Sequence, residues 1–292
     1  MTNTLNLAGK LDAVTVSVLT AFDQIATALH VPYVLVGATA RDILLHHGYG
    51  IRPERATADI DMAIQVNDWA LFLAVRRALL ANGFSQGKEP HRVHSAQGIP
   101  LDIIPFGGIE NDSASIEWPT TDARVMNMMG FTETHAHAQA VMVQENPNVI
   151  VPVVMPAGLV LLKLVAWTDR DVQSRKRDAH DIFHVMKHHE SMPGVRDRSY
   201  DNTTIMEKYG WDTRLTGAHL LGIDAAEIAL PQTREYVTQL LIGGMIKSRL
   251  SMDKLIGESM LLYSDAEEKQ RVLLAEAFRN GFCQGVTLKN KN

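Results

Sequence analysis

The sequence predicts an α/β fold of the α+β kind, a mixed sheet flanked by helices, followed by an α-helical C-terminal region. Three observations predict it. Ile60, Met62 and Ile64 alternate with Asp59, Asp61 and Ala63, the period of a strand with two unlike faces. Strand-like and helical patterns interleave as far as residue 155. From Pro156 onward the apolar residues recur at helical spacing. The expected division is therefore residues 1–155 as one domain and residues 156–292 as a second.

The elements follow in order. Leu11 to Leu29 carries Val14, Val18, Leu19, Phe22, Ile25 and Leu29 at helical spacing. Tyr33 to Val36 reads as a short buried strand ended by Gly37, and Ala38 to His47 as a helix. Gly48 to Ala56 is polar with glycines and a proline, the composition of a loop. Ala58 to Val66 is the alternating strand, and Asp68 to Asn82 a helix closed by Gly83. Arg92 to Ser95, Pro100 to Phe106, Ala140 to Gln144 and Asn148 to Val154 read as further strands. In the second half, Pro156 to Asp169 and Val172 to His189 are helical, Gly194 to Asn202 is a polar linker or loop, and helices follow near Arg214 to Ile228, Gln232 to Leu250 and Asp265 to Gly281. The tail Thr287 to Asn292 is expected to fray.

Composition narrows the function. A chain of 292 residues can bury a substantial core without covalent staples. Its single cysteine, Cys283, rules out an intramolecular disulfide and reads as a lone helix residue. Met1 to Lys10 lacks the basic start and apolar core of a secretory signal. No apolar run approaches the roughly 20 residues needed to span a bilayer; Val149 to Ala166 is broken by Pro152, Pro156 and Gly158. The expectation is a cytoplasmic protein with no membrane partner. A net charge of −5 means that any nucleic-acid contact must come from a local basic patch.

The chemistry-bearing pattern is a set of carboxylates. Asp59 and Asp61, two residues apart on one strand, project from the same face about 7 Å apart at their Cα atoms. Such a pair repels itself unless solvent or a cation screens it. Magnesium prefers carboxylate oxygens together with substrate phosphates. A pair of such ions clamps the attacking and leaving oxygens of an in-line phosphoryl displacement. An exposed edge strand carrying two aspartates for solubility is the bland alternative. Three neighbours weigh against it. Gly37 closes a strand and opens a helix, leaving backbone N–H groups where a phosphate can sit. Thr57 lies two residues before Asp59. Asp102 is an isolated charge inside the apolar run Leu101 to Phe106, natural if that strand runs beside the Asp59/Asp61 strand and completes a three-carboxylate cup.

The stretch Val36-Gly37-Ala38-Thr39-Ala40-Arg41-Asp42-Ile43-Leu44-Leu45, then Thr57-Ala58-Asp59-Ile60-Asp61, then Asp102, resembles the polymerase-β-type nucleotidyltransferase superfamily. Its first part is also similar to the head of CCA-adding enzymes. The resemblance implies a nucleotidyltransferase-type sheet in the first domain and transfer of an NMP from an NTP. It implies two Mg2+ ions on Asp59 and Asp61, with Asp102 completing the metal cup and helping to activate the acceptor hydroxyl. It implies nucleotide contacts from Gly37, Ala38, Thr39, Arg41 and Thr57. The superfamily has Gly-Gly or Gly-Ser where this chain has Gly37-Ala38, so a hydroxyl is lost at Ala38, for which Thr39 is the candidate replacement.

A second cluster lies downstream. Lys163 interrupts the apolar run Leu161 to Trp167, and Asp178 and Asp181 share a helix face in Arg177-Asp178-Ala179-His180-Asp181. A lysine in an apolar setting serves phosphate as a point charge, or snorkels to an acid. The order resembles AbiEii-type and MenT-type nucleotidyltransferase toxins of toxin–antitoxin and phage-defence systems. The resemblance implies that Lys163 contacts nucleotide phosphates and that Asp178, with Asp181 beside it, belongs to the active site.

Other features are read more plainly. His180, His184 and His188, with His189 adjacent, form a helix stripe expected to be solvated or acid-paired rather than zinc-binding. His135 and His137 fall in a loop or strand, and Met126, Met128 and Met129 on a core or strand face. Arg175, Lys176 and Arg177, with Arg170 nearby, are the best basic patch for RNA phosphates, or an ordinary helix surface. Trp211 is a stacking platform or, more commonly for tryptophan, a packing residue.

The leading reading is a magnesium-dependent nucleotidyltransferase with a helical C-terminal region that helps hold the acceptor, for which tRNA or another RNA is the candidate. The alternatives are a small-molecule, aminoglycoside-type nucleotidyltransferase, a non-catalytic protein that binds a nucleotide or a partner, and a toxin held by a cognate antitoxin.

Overall fold

The computed structural model describes residues 4–55, 57–119, 125–243, 251–260 and 264–289. The chain divides into two compact units, Met1–Met155 and Pro156–Asn292.

The first unit is built on an eight-stranded mixed sheet. Its strands are β1 (Leu5–Asn6), β2 (Tyr33–Val36), β3 (Ile60–Gln65), β4 (Ser85–Gln86), β5 (Arg92–His94), β6 (Pro100–Phe106), β9 (Gln139–Gln144) and β10 (Val149–Val153); β7 (Ser115–Glu117) and β8 (Val125–Asn127) pair separately. The order across the sheet is β1-β9-β10-β2-β3-β6-β5-β4. The centre fixes the site: β3 runs antiparallel to β2, with Val36 opposite Asp61, and parallel to β6, with Asp61 opposite Asp102. β5 runs antiparallel to β6, with Arg92 opposite Asp102.

Helices cover this sheet. α1 (Ala13–Ala28) begins at Asp12, whose side chain accepts from the Val14 and Thr15 N–H groups, and buries Val18, Leu19, Phe22 and Ile25. α2 (Gly37–Arg41) follows β2 directly and continues as a π-helical stretch, Asp42–Gly48. α3 (Trp69–Ala81) is capped by Asp68, and α4 (Phe131–Ala136) starts after Gly130 in the left-handed region. Every β2 residue is buried, and Met62, Ala63, Ile64, Leu101 and Ile103 have no exposed surface.

The second unit is helical among its described residues. Its helices are α5 (Pro156–Asp169), α6 (Val172–His188), α7 (Val195–Asp201), α8 (Thr203–Lys208), α9 (Thr213–Ile228), α10 (Pro231–Ile242), α11 (Met252–Ser259) and α12 (Asp265–Lys289). α9 and α12 cross through glycines. A Cβ on Gly222 would collide with backbone atoms of Phe278 and Phe282, and one on Gly281 with the backbone carbonyl of His219. Among the described residues, no helix is long and apolar enough to cross a membrane.

Several expectations need correction. Asp59 immediately precedes β3 rather than lying on it. The helix expected over Ala38 to His47 is present but changes type, α-helical as far as Arg41 and π-helical from Asp42 to Gly48. Gly194 to Asn202, read as a linker, holds α7, because Val195 and Ser199 one turn apart face the interior and the Ser199 hydroxyl bonds the Val195 carbonyl. His135 is helical, in α4. Most of the histidine stripe turns inward rather than to solvent: His180, His184 and His189 are buried, and His189 has the expected acid beside it, its Nε2 3.7 Å from Asp224 Oδ2. Trp211 is half exposed, at 53%, rather than a core residue. The helix expected over Gln232 to Leu250 is seen to Ile242; residues 244–250 lie outside the described set, as do 290–292 of the tail.

Candidate active site

Three carboxylates meet at the ends of β3 and β6. Oxygens of Asp59, Asp61 and Asp102 lie within 4.8 Å of one another. The sheet register produces this. Parallel pairing sets Asp61 beside Asp102, and Asp59, two residues earlier, points to the same side. Asp102 is buried, while Asp59 and Asp61 are partly exposed, so the cup opens toward solvent through its first two acids. Hard oxygen donors at this separation suit a cation of the magnesium or calcium type.

The turn after β2 is shaped around this cup. Gly37 has φ +74°, and a Cβ there would collide with the Asp61 carboxylate, lying 2.8 Å from its Cγ. Glycine therefore does two things at this position: it takes the left-handed backbone and it leaves room for Asp61. Ala38 is buried and offers only its backbone N–H. The Thr39 hydroxyl donates to the Asp59 backbone carbonyl at 2.6 Å, so Thr39 ties the turn after β2 to the loop that carries Asp59.

Arg41, Asp42 and Thr57 form a hydrogen-bonded network beside this turn. Arg41 is 2% exposed. Its Nε donates to Asp42 Oδ1 at 2.8 Å, and its Nη2 reaches the Thr57 hydroxyl at 3.5 Å. Thr57 donates in turn to Asp42 Oδ2 at 2.6 Å. This network ties the segment leading into Asp59 to the start of the π-helical stretch. Arg41 and Thr57 thereby support the loop that carries Asp59.

Lys163, Asp178 and Asp181 form a cluster within the second unit. The Lys163 ammonium lies 3.1 Å from Asp178 Oδ1 and 2.8 Å from Asp181 Oδ2, and all three residues are buried. Arg170 Nη1 reaches both Asp178 oxygens, at 3.0 and 2.9 Å. Burial works against the Lys163 charge, but Asp181 and Asp178 outweigh it and raise its pKa above that of an ordinary lysine. The network fastens α5 to α6. Of the basic patch, Arg175 is bound to Glu258, which also accepts from the Trp167 indole at 2.7 Å, while Lys176 and Arg177 are exposed.

A model of the nucleotidyl transferase AbiEii toxin family, described as a type IV toxin–antitoxin system, matches residues 23–198, more than half of the chain. The chain belongs to the AbiEii family. Membership makes it a nucleotidyltransferase, and the matched span contains the cup and the Lys163 cluster. Among solved structures, the Thermotoga maritima CCA-adding enzyme complexed with tRNA is similar at 14% identity and TM-score 0.27, covering 98% of this chain and 85% of that one. The antibiotic-resistance factor ANT(2'')-Ia is similar at 11% identity and TM-score 0.33, covering 68% of this chain and 98% of that one. No curated protein matches the chain.

One residue of this AbiEii chain escaped sequence reasoning. Arg92 grips Asp102 with both arms, Nε to Oδ1 and Nη2 to Oδ2, each at 2.6 Å, and its Nη2 lies 3.8 Å from Asp59 Oδ2. These bonds raise its already high pKa further, against a smaller burial cost. His91 stands beside it, its Nε2 4.0 Å from Asp102 Oδ2 and its ring against Trp118. The available signal was a lone arginine and a lone aspartate on strands that pair across the sheet.

Proposed function

We propose that this AbiEii chain transfers an NMP from an NTP to an RNA acceptor, tRNA first among them, using two Mg2+ ions held by Asp59, Asp61 and Asp102. The observation that carries the reading is the convergence of three carboxylates to within 4.8 Å. Bound magnesium supplies charge neutralisation of the triphosphate and alignment of the attacking and leaving oxygens.

The chain's own residues do the rest. Gly37 gives the triphosphate a side-chain-free approach to the cup. Thr39, Arg41 and Thr57 hold the loop that presents Asp59. Asp102 is the group we assign to orient the acceptor hydroxyl. Lys176 and Arg177, exposed on α6, supply sequence-independent contacts to RNA phosphates. The family description supports a toxin, opposed by a cognate antitoxin. A cytoplasmic location is part of this reading, since NTP and RNA are its reactants.

The test is transfer of label from each α-labelled NTP, with magnesium, onto bulk tRNA, total RNA, an aminoglycoside and the protein itself. Label on tRNA or another RNA, with growth arrest on expression, supports the reading. Label on the aminoglycoside alone replaces the acceptor class, and nucleotide binding without transfer anywhere replaces the reaction.

A further inference from the structure

We propose that Arg92 is the built-in counter-cation of the carboxylate cup, and that divalent-cation loading and the Arg92–Asp102 fork exclude one another. The proposal rests on the reading of Asp59, Asp61 and Asp102 as the metal site.

The fork occupies both Asp102 oxygens at 2.6 Å. Bidentate guanidinium–carboxylate pairs are among the strongest and most directional in proteins. A magnesium-type ion bonds oxygen at about 2.0–2.1 Å. An ion shared by the three acids would lie within a few ångströms of Arg92 Nη2, which already stands 3.8 Å from Asp59 Oδ2. Two positive charges would then compete for the same oxygens in a partly buried setting, where Coulomb forces are screened less than in water.

Arg92 is built into this position. β5 places it opposite Asp102 in register. The Gly87 backbone leaves room for it: a Cβ on Gly87 would lie 2.7 Å from the Arg92 carbonyl oxygen and 2.8 Å from its Cγ. The Arg92 side chain is one-third exposed, so its guanidinium has a route to water that the buried Asp102 lacks. Arg92 therefore offsets the repulsion among the three acids while no divalent ion is bound. It yields Asp102 when one enters. Arg92 is a positioning residue, acting through Asp102.

The experiment is equilibrium titration of the full chain with Mn2+ as the probe, without nucleotide, following free Mn2+ by electron paramagnetic resonance. Wild type, Arg92→Gln, Arg92→Lys and the Asp59→Asn/Asp61→Asn double variant are compared. Removing the competing charge should tighten Mn2+ binding by Arg92→Gln about tenfold or more. Arg92→Lys, which keeps a charge without the fork, should fall between it and wild type. The thermal midpoint gives a second readout: Arg92→Gln should be the less stable protein without metal and gain more than wild type from added Mn2+. Equal or weaker Mn2+ binding by both Arg92 variants overturns the proposal while leaving the metal site intact. Undiminished binding by the double aspartate variant overturns the metal-site reading instead.

Discussion

Gly37 and Asp61 share one space: a Cβ on Gly37 would strike the Asp61 carboxylate, 2.8 Å from its Cγ. The contact follows from the sheet, because Val36 pairs with Asp61 and the chain turns at the next residue. Gly37→Ala must therefore move Asp61 or the turn, and it must also hold alanine at φ +74°. A stability loss of about 1–3 kcal/mol is expected from the backbone conformation alone. NMP transfer should fall much further than the folded fraction does. Thermal unfolding and transfer assays on the same preparation check both parts.

Lys163 bridges two buried acids, one of which, Asp178, also pairs with Arg170. Lys163→Ala leaves Asp178 and Asp181 without their shared cation, which should cost about 3–5 kcal/mol. Urea unfolding measures it. A loss below about 1 kcal/mol would contradict the structural weight given to this network.

Gly281 sets two ordinary rules against each other. Alanine is the better helix former by about 1 kcal/mol. Its Cβ at position 281 would nevertheless meet the His219 carbonyl in α9, a backbone atom that cannot swing aside. The steric term should win, and Gly281→Ala should destabilise the protein by about 1–3 kcal/mol. A raised thermal midpoint would show that the helix crossing yields.

Asp224 links stability to acid. Burial opposes its charge, but His189 and Arg198 outweigh that and hold its carboxyl below the usual range. Arg198 makes the stronger contact, with Nη2 2.7 Å from Oδ1. A depressed carboxyl pKa contributes stability that is present above the unfolded value, about 3.9, and lost as pH falls through the folded value. Asp224→Asn should therefore unfold more easily than wild type at neutral pH, by about 1–3 kcal/mol. The gap should close as pH drops below about 4. A gap unchanged at acid pH would mean that the ion pairs contribute nothing.

The legible parts of this chain were those with strong local periodicity. Tyr33–Val36 and Pro100–Phe106 are strands at the boundaries their apolar runs implied, and α1, α3, α5, α6 and α9 fall within a residue or two of theirs. Asp59, Asp61 and Asp102 could be joined because isolated acids in apolar strands have few structural explanations. What local pattern could not carry was set by tertiary contact. β1 and β4 have two residues each and exist only through their sheet neighbours. α12 runs on past Gly281 and Gly285 because those glycines are where α9 packs, so residues that punctuate helices elsewhere here permit one. Arg41 resembled a ligand residue in sequence. Its neighbour Asp42 and Thr57 hold it inside. Arg92 was invisible for the converse reason: its importance lies wholly in a partner ten residues away on the next strand.

The role of the three-carboxylate cup in NMP transfer is decided by one comparison: magnesium-dependent transfer from α-labelled NTP by wild type and by the Asp59→Asn/Asp61→Asn variant, with circular dichroism and thermal unfolding as controls for the fold. A folded variant with no detectable transfer is expected. Transfer at the wild-type rate by that variant would mean that the cup is not the catalytic centre.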